Sequence, residues 1–127
     1  YAARGLGDVY KRQEQQQAFT EDDPRRGLVE DYLEVLLPTG WAGMGVEKRR
    51  AWFQEDDSIR EAGTQQRDYI SAVEVWAECF GNDPHRFPRQ DRAEVNTILR
   101  QLQGWKEEPR RQRCGPYGQQ TRFRRVP

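Results

Sequence analysis

The sequence has few of the residue types from which catalytic and metal-binding sites are built. It contains one histidine, His85, and two cysteines, Cys79 and Cys114, among 127 residues. His85 has no cysteine or carboxylate partner at the spacing of a metal site, and no base accompanies a nucleophile. The sequence therefore predicts no metal, no cofactor and no enzymatic activity, and His85 is expected to be a loop residue.

Long apolar runs are also lacking. Hydrophobic residues make up 35% of the chain and charged residues 33%, so we expect a small core, equivalent to about 70–80 residues. No run approaches the length needed to cross a bilayer, and no segment has the pattern of a signal peptide. One disulfide is compatible with the two cysteines, but a reducing cytoplasm and no membrane partner are the expectation.

Acidic residues are absent from the last nineteen residues, 109–127, which carry six arginines. The whole chain has 21 basic and 21 acidic residues and a formal net charge of zero, so residues 1–108 carry −6 against +6 at the end. A neutral chain has no overall attraction for nucleic acid, and any attraction must be local to the basic end.

The first residues predict no folded structure. The chain begins at Tyr1 and is expected to be a fragment. An early stretch resembles a translated transposon end of the kind used in preparing sequencing libraries: Asp8, Val9, Tyr10, Lys11, Arg12 and Gln13. We expect residues 1–13 to be an assembly artefact, the alternative being a natural leader, and residues 1–17 to be disordered.

An amphipathic helix is predicted from Asp23 to about residue 37. Asp23 is a favourable N-cap before Pro24 at the first helical position. The apolar face comprises residues at three- and four-residue spacings: Leu28, Val29, Tyr32, Leu33 and Leu36. Pro38 and Gly40 end the helix. This helix and the loop after it form a leading segment over residues 18–45.

From residue 46 onward the pattern predicts a winged helix. Residues 46–54 form a short helix and residues 67–70 a short strand. A helix over 71–80 begins with a capping box of Ser71 and Glu74, and a helix over 88–103 has a buried stripe of Val95, Ile98, Leu99 and Leu102. Strands from Trp105 and from Tyr117 to Val126 flank a turn at 114–116. The predicted fold class is mainly α with a small β-hairpin: a winged helix-turn-helix over residues 46–127, preceded by one extra helix.

The basic residues of this half are the candidate nucleic-acid contacts. On the helix over 88–103 they are Arg89, Arg92, Asn96 and Arg100, since arginine suits phosphate or guanine and asparagine suits adenine. On the hairpin they are Arg110, Arg111, Arg113, Arg122, Arg124 and Arg125, which can line a phosphate track. The alternatives are a solvated helix face, favoured by Asp91 and Glu94, and a disordered arginine-rich tail.

Other conspicuous residues have a structural interpretation. Residues 47–50, which include Arg49, are expected to form a solvated helix start. Cys79 is expected to be a buried small side chain, whereas Cys114 lies at a turn among arginines, which can depress a thiol pKa. The four tryptophans are expected to anchor the core, and one would stack on a single-stranded base only if exposed. They are Trp41, Trp52, Trp76 and Trp105.

Several short segments, in order, resemble the C-terminal end of virulence-associated protein E. They are residues 47–50, 52–53, 73–81, 96–99, 104–105 and 115–120, within a span of roughly 18–126. That resemblance implies a phage or prophage replication protein with a P-loop ATPase of primase-helicase type ahead of this segment. The ATPase motif G-x-x-x-x-G-K-[ST] is absent here, because the glycine cluster at Gly40 to Gly45 lacks the lysine. None of the ATPase residues carries over.

The sequence and the resemblance together predict a C-terminal accessory module that binds the nucleic-acid backbone without sequence specificity, in the cytoplasm of a bacterial host. Its partner would be DNA or a single-stranded nucleic acid. The alternative is a protein–protein interaction module that docks on the ATPase portion or on a second subunit, which apolar residues exposed on the helix over 23–37 would favour.

Overall fold

Helices and a small antiparallel sheet make up the described part of the chain. The computed structural model describes residues 23–127, and the predictions for residues 1–22 lie outside that range. The helices are α1 (Pro24–Glu34), α2 (Val46–Gln54), α3, which is α-helical over Ala72–Glu74 and π-helical over Val75–Cys79, and α4 (Arg89–Gln101). Short 3-10 turns cover Trp41–Gly43 and Gly115–Tyr117. None of the helices within 23–127 is long and apolar enough to cross a membrane.

The strands form two ladders. Strand β5 (Arg122–Arg125) lies between β1 (Tyr69–Ser71) and β2 (Trp105–Glu107), and both of these pair with it antiparallel. Strands β3 (Gln112–Arg113) and β4 (Gln119–Gln120) form a separate antiparallel pair. We call residues 105–125, which contain β2 to β5, the hairpin.

The hairpin strands are shorter than the sequence predicted. The long strands expected from Trp105 and from Tyr117 are each interrupted. Pro109 lacks the N–H that a ladder needs, and Gly115 and Gly118 turn the chain at positive φ, +54° and +75°. The first strand was also predicted two residues early, since it covers Tyr69–Ser71 rather than 67–70.

The extra helix α1 shares the main core with the sheet and α4. Its N-terminus is as predicted, because the Asp23 side chain accepts a hydrogen bond from the Arg25 N–H at 2.9 Å. The predicted stripe of α4 is confirmed, since its four apolar residues are buried. The main core cluster is Val29, Tyr32, Leu33, Ile70, Ala72, Val75, Val95, Ile98, Leu99, Leu102, Trp105 and Phe123.

The apolar face predicted for α1 was partly wrong. Leu28 is 58% exposed and Leu36 48% exposed. The helix ends at Glu34 because Val35 is extended, so Leu36 no longer follows the helical spacing. Leu37 instead enters a second cluster with Trp41 and Trp52.

Two arginines and two glutamates form a buried cluster beneath these elements. Arg67 Nη1 lies 3.4 Å from Glu74 Oε1, and Arg67 Nη2 lies 3.2 Å from Glu78 Oε1. Arg49 Nη1 lies 3.6 Å from Glu74 Oε1 and 3.8 Å from Glu78 Oε2. All four residues are at most 5% exposed. We call these residues the Arg–Glu cluster; its formal charges balance.

Hydroxyl groups complete the hydrogen bonds of the two carboxylates. The hydroxyls of Tyr32 and Tyr117 donate to Glu78 at 2.6 and 2.8 Å, and the Ser71 hydroxyl donates to Glu74 at 2.8 Å. The capping box predicted for Ser71 is therefore wrong, because its hydroxyl bonds the Glu74 side chain and makes no cap to the backbone. The solvated position predicted for Arg49 is wrong as well, since its guanidinium is enclosed and donates to the Trp41 carbonyl at 2.9 Å.

Substitution of Arg67 by methionine should destabilise the fold by about 3–5 kcal/mol, because two buried carboxylates would then face one arginine. The control is Arg100→Met, since Arg100 is 51% exposed and pairs with a Glu107 side chain that is 39% exposed, and such a pair contributes at most about 1 kcal/mol. Urea unfolding measures both. Equal losses in the two variants would contradict a structural role for the cluster.

The stability should also depend on pH through Glu74. Burial and then the neighbouring Glu78 charge raise the pKa of Glu74 from 4.5 to about 7, with Arg67 opposing them. A carboxyl with a raised folded-state pKa binds more protons folded than unfolded, so stability falls as pH rises between these two values, by up to about 3 kcal/mol. Thermal melts from pH 4.5 to 7 should show this fall. Glu74→Gln should abolish it, and an unchanged slope in that variant would assign the titration elsewhere.

Candidate nucleic-acid interface

Helix α4 presents its four predicted contact residues on one face. Pro88 precedes the helix, and Arg89, Arg92, Asn96 and Arg100 follow at three- and four-residue spacings, which places them on the same side. Arg89 is exposed, whereas Arg92 and Asn96 are partly buried against the hairpin. The α4 face that carries these residues therefore adjoins the hairpin.

An open cleft of about 300 Å³ lies where α4 meets the hairpin. Its lining comprises Ala72, Arg92, Asn96, Arg111, Gln120 and Thr121. Arg92 Nη1 donates to Gln120 Oε1 at 3.4 Å, and Gln120 Nε2 donates to the Tyr117 carbonyl at 3.0 Å. Arg111 Nη2 donates to the Gln119 carbonyl at 2.6 Å. These bonds position two arginines, one from each element, at the same cleft.

The cleft is electropositive. Burial and then the nearby positive charge of Arg111 lower the pKa of Arg92. Within residues 23–127 no carboxylate lies at ion-pair distance from either arginine. Two close cations without an acidic partner repel each other, and an anion bound between them would relieve that repulsion.

Two other predicted contact residues, Arg100 and Arg122, are engaged by acids. Arg100 forms two bonds to Glu107, at 2.8 and 3.4 Å, and does not line the cleft. Arg122 forms two bonds to Glu108, one of them Nη2 to Oε1 at 3.1 Å, and its guanidinium covers the Tyr69 ring. The hydrogen bonds from Arg100 and Arg122 lower the pKa of Glu107 and of Glu108, respectively.

Arg125 is bonded to α1 and to the segment before β1, and it does not line the cleft. It donates to the carbonyls of Arg67 and Leu33 at 2.7 and 3.1 Å and pairs with Glu34 at 3.2 Å. Its role is to fasten β5 to α1. The six hairpin arginines therefore do not form one track, and the remaining three, Arg110, Arg113 and Arg124, are exposed.

A stack of planar groups beside the cleft was missed from the sequence. The rings of Trp76 and Phe87 are stacked with centroids 4.7 Å apart and planes 20° apart. Arg92 covers Phe87, with its Cζ 4.4 Å from the ring centroid. Trp76 Nε1 donates to the carbonyls of Asp83 and Arg86 at 3.0 and 3.1 Å, which fixes the indole. Phe87 immediately before Pro88 was the only local signal for this arrangement.

Trp76 differs from the other tryptophans. Trp41, Trp52 and Trp105 are buried, as predicted for core anchors, but Trp76 is partly exposed. Stacking on a single-stranded base was expected only of an exposed tryptophan, and Trp76, which is half-buried, comes nearest to that among the four. Gln120 and Thr121 were also missed, because no sequence pattern indicated that the hairpin would return them to α4.

Neither cysteine has the environment of a nucleophile. Both are free thiols, and burial raises the pKa of each to about 11. For Cys114 this corrects the expectation of a depressed pKa: the thiol is fully buried and near Glu74, while the arginines of its turn face outward. Among residues 23–127, no three potential metal ligands lie together.

No family model matches the chain, and no curated protein matches it significantly. The resemblance to virulence-associated protein E stays a prediction.

The thiols should react slowly with iodoacetamide at about pH 7.5. A pKa near 11 leaves a thiolate fraction on the order of 100-fold below that of an ordinary cysteine. The measurement is the labelling rate by mass spectrometry, with the urea-unfolded protein as the control. Labelling of Cys114 in the folded protein as fast as in the unfolded one would contradict its buried position.

Proposed function

We propose that residues 46–127 form a winged-helix module that binds the nucleic-acid backbone without sequence specificity. In this proposal the module is the C-terminal accessory part of a phage or prophage replication protein resembling virulence-associated protein E, and it acts in the bacterial cytoplasm. It contributes no catalytic chemistry of its own; it holds an attached motor on its template.

The order of the elements supports the winged helix. Helix α2, strand β1, helices α3 and α4 and then strands β2 and β5 follow one another, and the sheet order is β1-β5-β2. In a winged helix the helix after the turn and the hairpin together approach the nucleic acid. Here α4 and the β3–β4 end of the hairpin meet at the cleft.

One observation carries the proposal. Arg92 and Arg111 lie close together at that cleft, and neither has an acidic partner among the described residues. Phosphate contact requires only positive charge close to the backbone, and it carries no sequence information. Arg89, one helical turn before Arg92, and Arg110 and Arg113, close to Arg111 in the chain, are exposed and add positive charge to these two elements. Arg100, Arg122 and Arg125, whose charges are paired, contribute little to it.

The exposed leucines favour a second candidate function. Leu28 on α1 and Leu36 just after it are exposed by about half, and apolar residues exposed on this segment are what a protein–protein interaction module would present. In that case the segment docks on the ATPase portion or on a second subunit. The two functions use different surfaces and are compatible.

Neutralising the cleft arginines should reduce the salt dependence of DNA binding. Arg92→Gln and Arg111→Gln should each lower the slope of log K against log salt concentration by about 0.9 on duplex DNA. Arg100→Gln is the charge-matched control on the same helix, and it should leave the slope unchanged because Glu107 already neutralises Arg100. Fluorescence anisotropy at several salt concentrations gives the slopes. Equal effects of all three variants would mean that net charge, rather than the cleft, drives binding.

A further inference from the structure

The stack of Trp76 and Phe87 ends at the cleft. Arg92 is its last member: one side of the guanidinium covers Phe87 at 4.4 Å, and the same residue lines the cleft and bonds Gln120. Guanidinium planes and aromatic rings are the surfaces on which proteins stack unpaired bases. The cleft thus has a planar wall in addition to its positive charge.

Asn96 supplies a second, independent observation. Its Oδ1 is buried and has no hydrogen-bond partner among the described residues, although Asn96 lines the cleft. Gln120, the other amide of the lining, has both ends of its side chain bonded. A buried acceptor without a donor is costly and calls for a ligand or solvent to complete it. Asn96 is therefore the lining amide whose acceptor lacks a donor, and a donor on a ligand reaches that oxygen once the side chain turns toward the cleft.

We infer that the cleft binds one unpaired nucleotide, with the base stacked on the Arg92 guanidinium, its polar edge directed to the Asn96 amide, and its phosphate at Arg111. This inference rests on the proposed function and deepens it by assigning a preference for single-stranded over duplex nucleic acid.

The size and chemistry of the cleft exclude a paired base. A volume of about 300 Å³ is at the lower limit of small-ligand sites, which suits one nucleotide and not a helix. In a duplex the two faces of each base are stacked on neighbours and its Watson–Crick edge is paired. The Arg92 guanidinium and the Asn96 amide then have no base to bind, and only the phosphate contacts remain.

The test separates the plane of Arg92 from its charge. Arg92→Lys retains the charge but removes the planar group, so affinity for a single-stranded 15-mer should fall about tenfold, while affinity for the duplex of the same sequence changes by less than about twofold. Arg100→Lys on the same helix is the matched control and should alter neither. Asn96→Ala should weaken single-strand binding about fivefold in the same assay. Single-stranded DNA and RNA are measured in separate arms, because both offer the same base and phosphate chemistry.

A selective loss of single-strand affinity in Arg92→Lys, with an unchanged melting temperature, supports the inference for whichever of DNA or RNA shows it. If wild type and Arg92→Lys bind the single-stranded 15-mer with equal affinity and also bind the duplex with equal affinity, the inference is overturned. The same holds if Arg92→Lys weakens single-strand and duplex binding alike. In either case the proposed function survives if Arg92→Gln still lowers the salt slope. Absence of binding to every oligonucleotide at low salt overturns the inference and the proposed function together.

Discussion

The buried Arg–Glu cluster is the contact on which the arrangement of the other elements depends. Glu74 and Glu78 of α3 bind Arg49 of α2 and Arg67 ahead of β1, and Glu78 accepts from Tyr32 of α1 and Tyr117 of the hairpin. Four charged side chains removed from water are costly unless every partner is in place. The cluster therefore stabilises a single relative position of these elements, since any other position leaves a buried charge unpaired.

A path of hydrogen bonds connects that cluster to the candidate interface. Tyr117 donates its hydroxyl to Glu78, its carbonyl accepts from Gln120, and Gln120 accepts from Arg92 on α4. Gly115 packs on the Arg49 guanidinium so closely that a Cβ there would lie 2.8 Å from Nη2. The hairpin end is thus held in position by its contacts with two buried charged residues, Glu78 and Arg49. This explains how a segment with only two short strand pairs presents Arg111 at a defined place beside α4.

Sequence patterns predicted the parts of the fold that local residues determine. The stripe of α4, the bounds of α2 and the Asp23 cap follow from spacings within one or two turns. The Arg–Glu cluster could not be predicted in this way, because Arg49 lies among Glu47, Lys48 and Arg50, a pattern typical of a solvated helix face. Its carboxylate partners, Glu74 and Glu78, lie 25 or more positions away along the chain, and no local spacing indicates them. Glu74 was assigned to a cap for the same reason, since Ser and Glu three residues apart match the local rule.

The charge of the last nineteen residues shows the same limit for the candidate site. Six arginines without an acid indicate a uniform positive track only if the nearest acids are distant, but Glu108 stands directly before that segment and pairs with Arg122. Glu34 pairs with Arg125 from across the core. The fold, and not the composition, determines which of these arginines have no acidic partner. Among the arginines that have no acidic partner in the described residues, Arg92 and Arg111 meet where α4 adjoins the hairpin, and planar and amide groups are also present there. This coincidence favours a site for a nucleotide over a general attraction for polyanions.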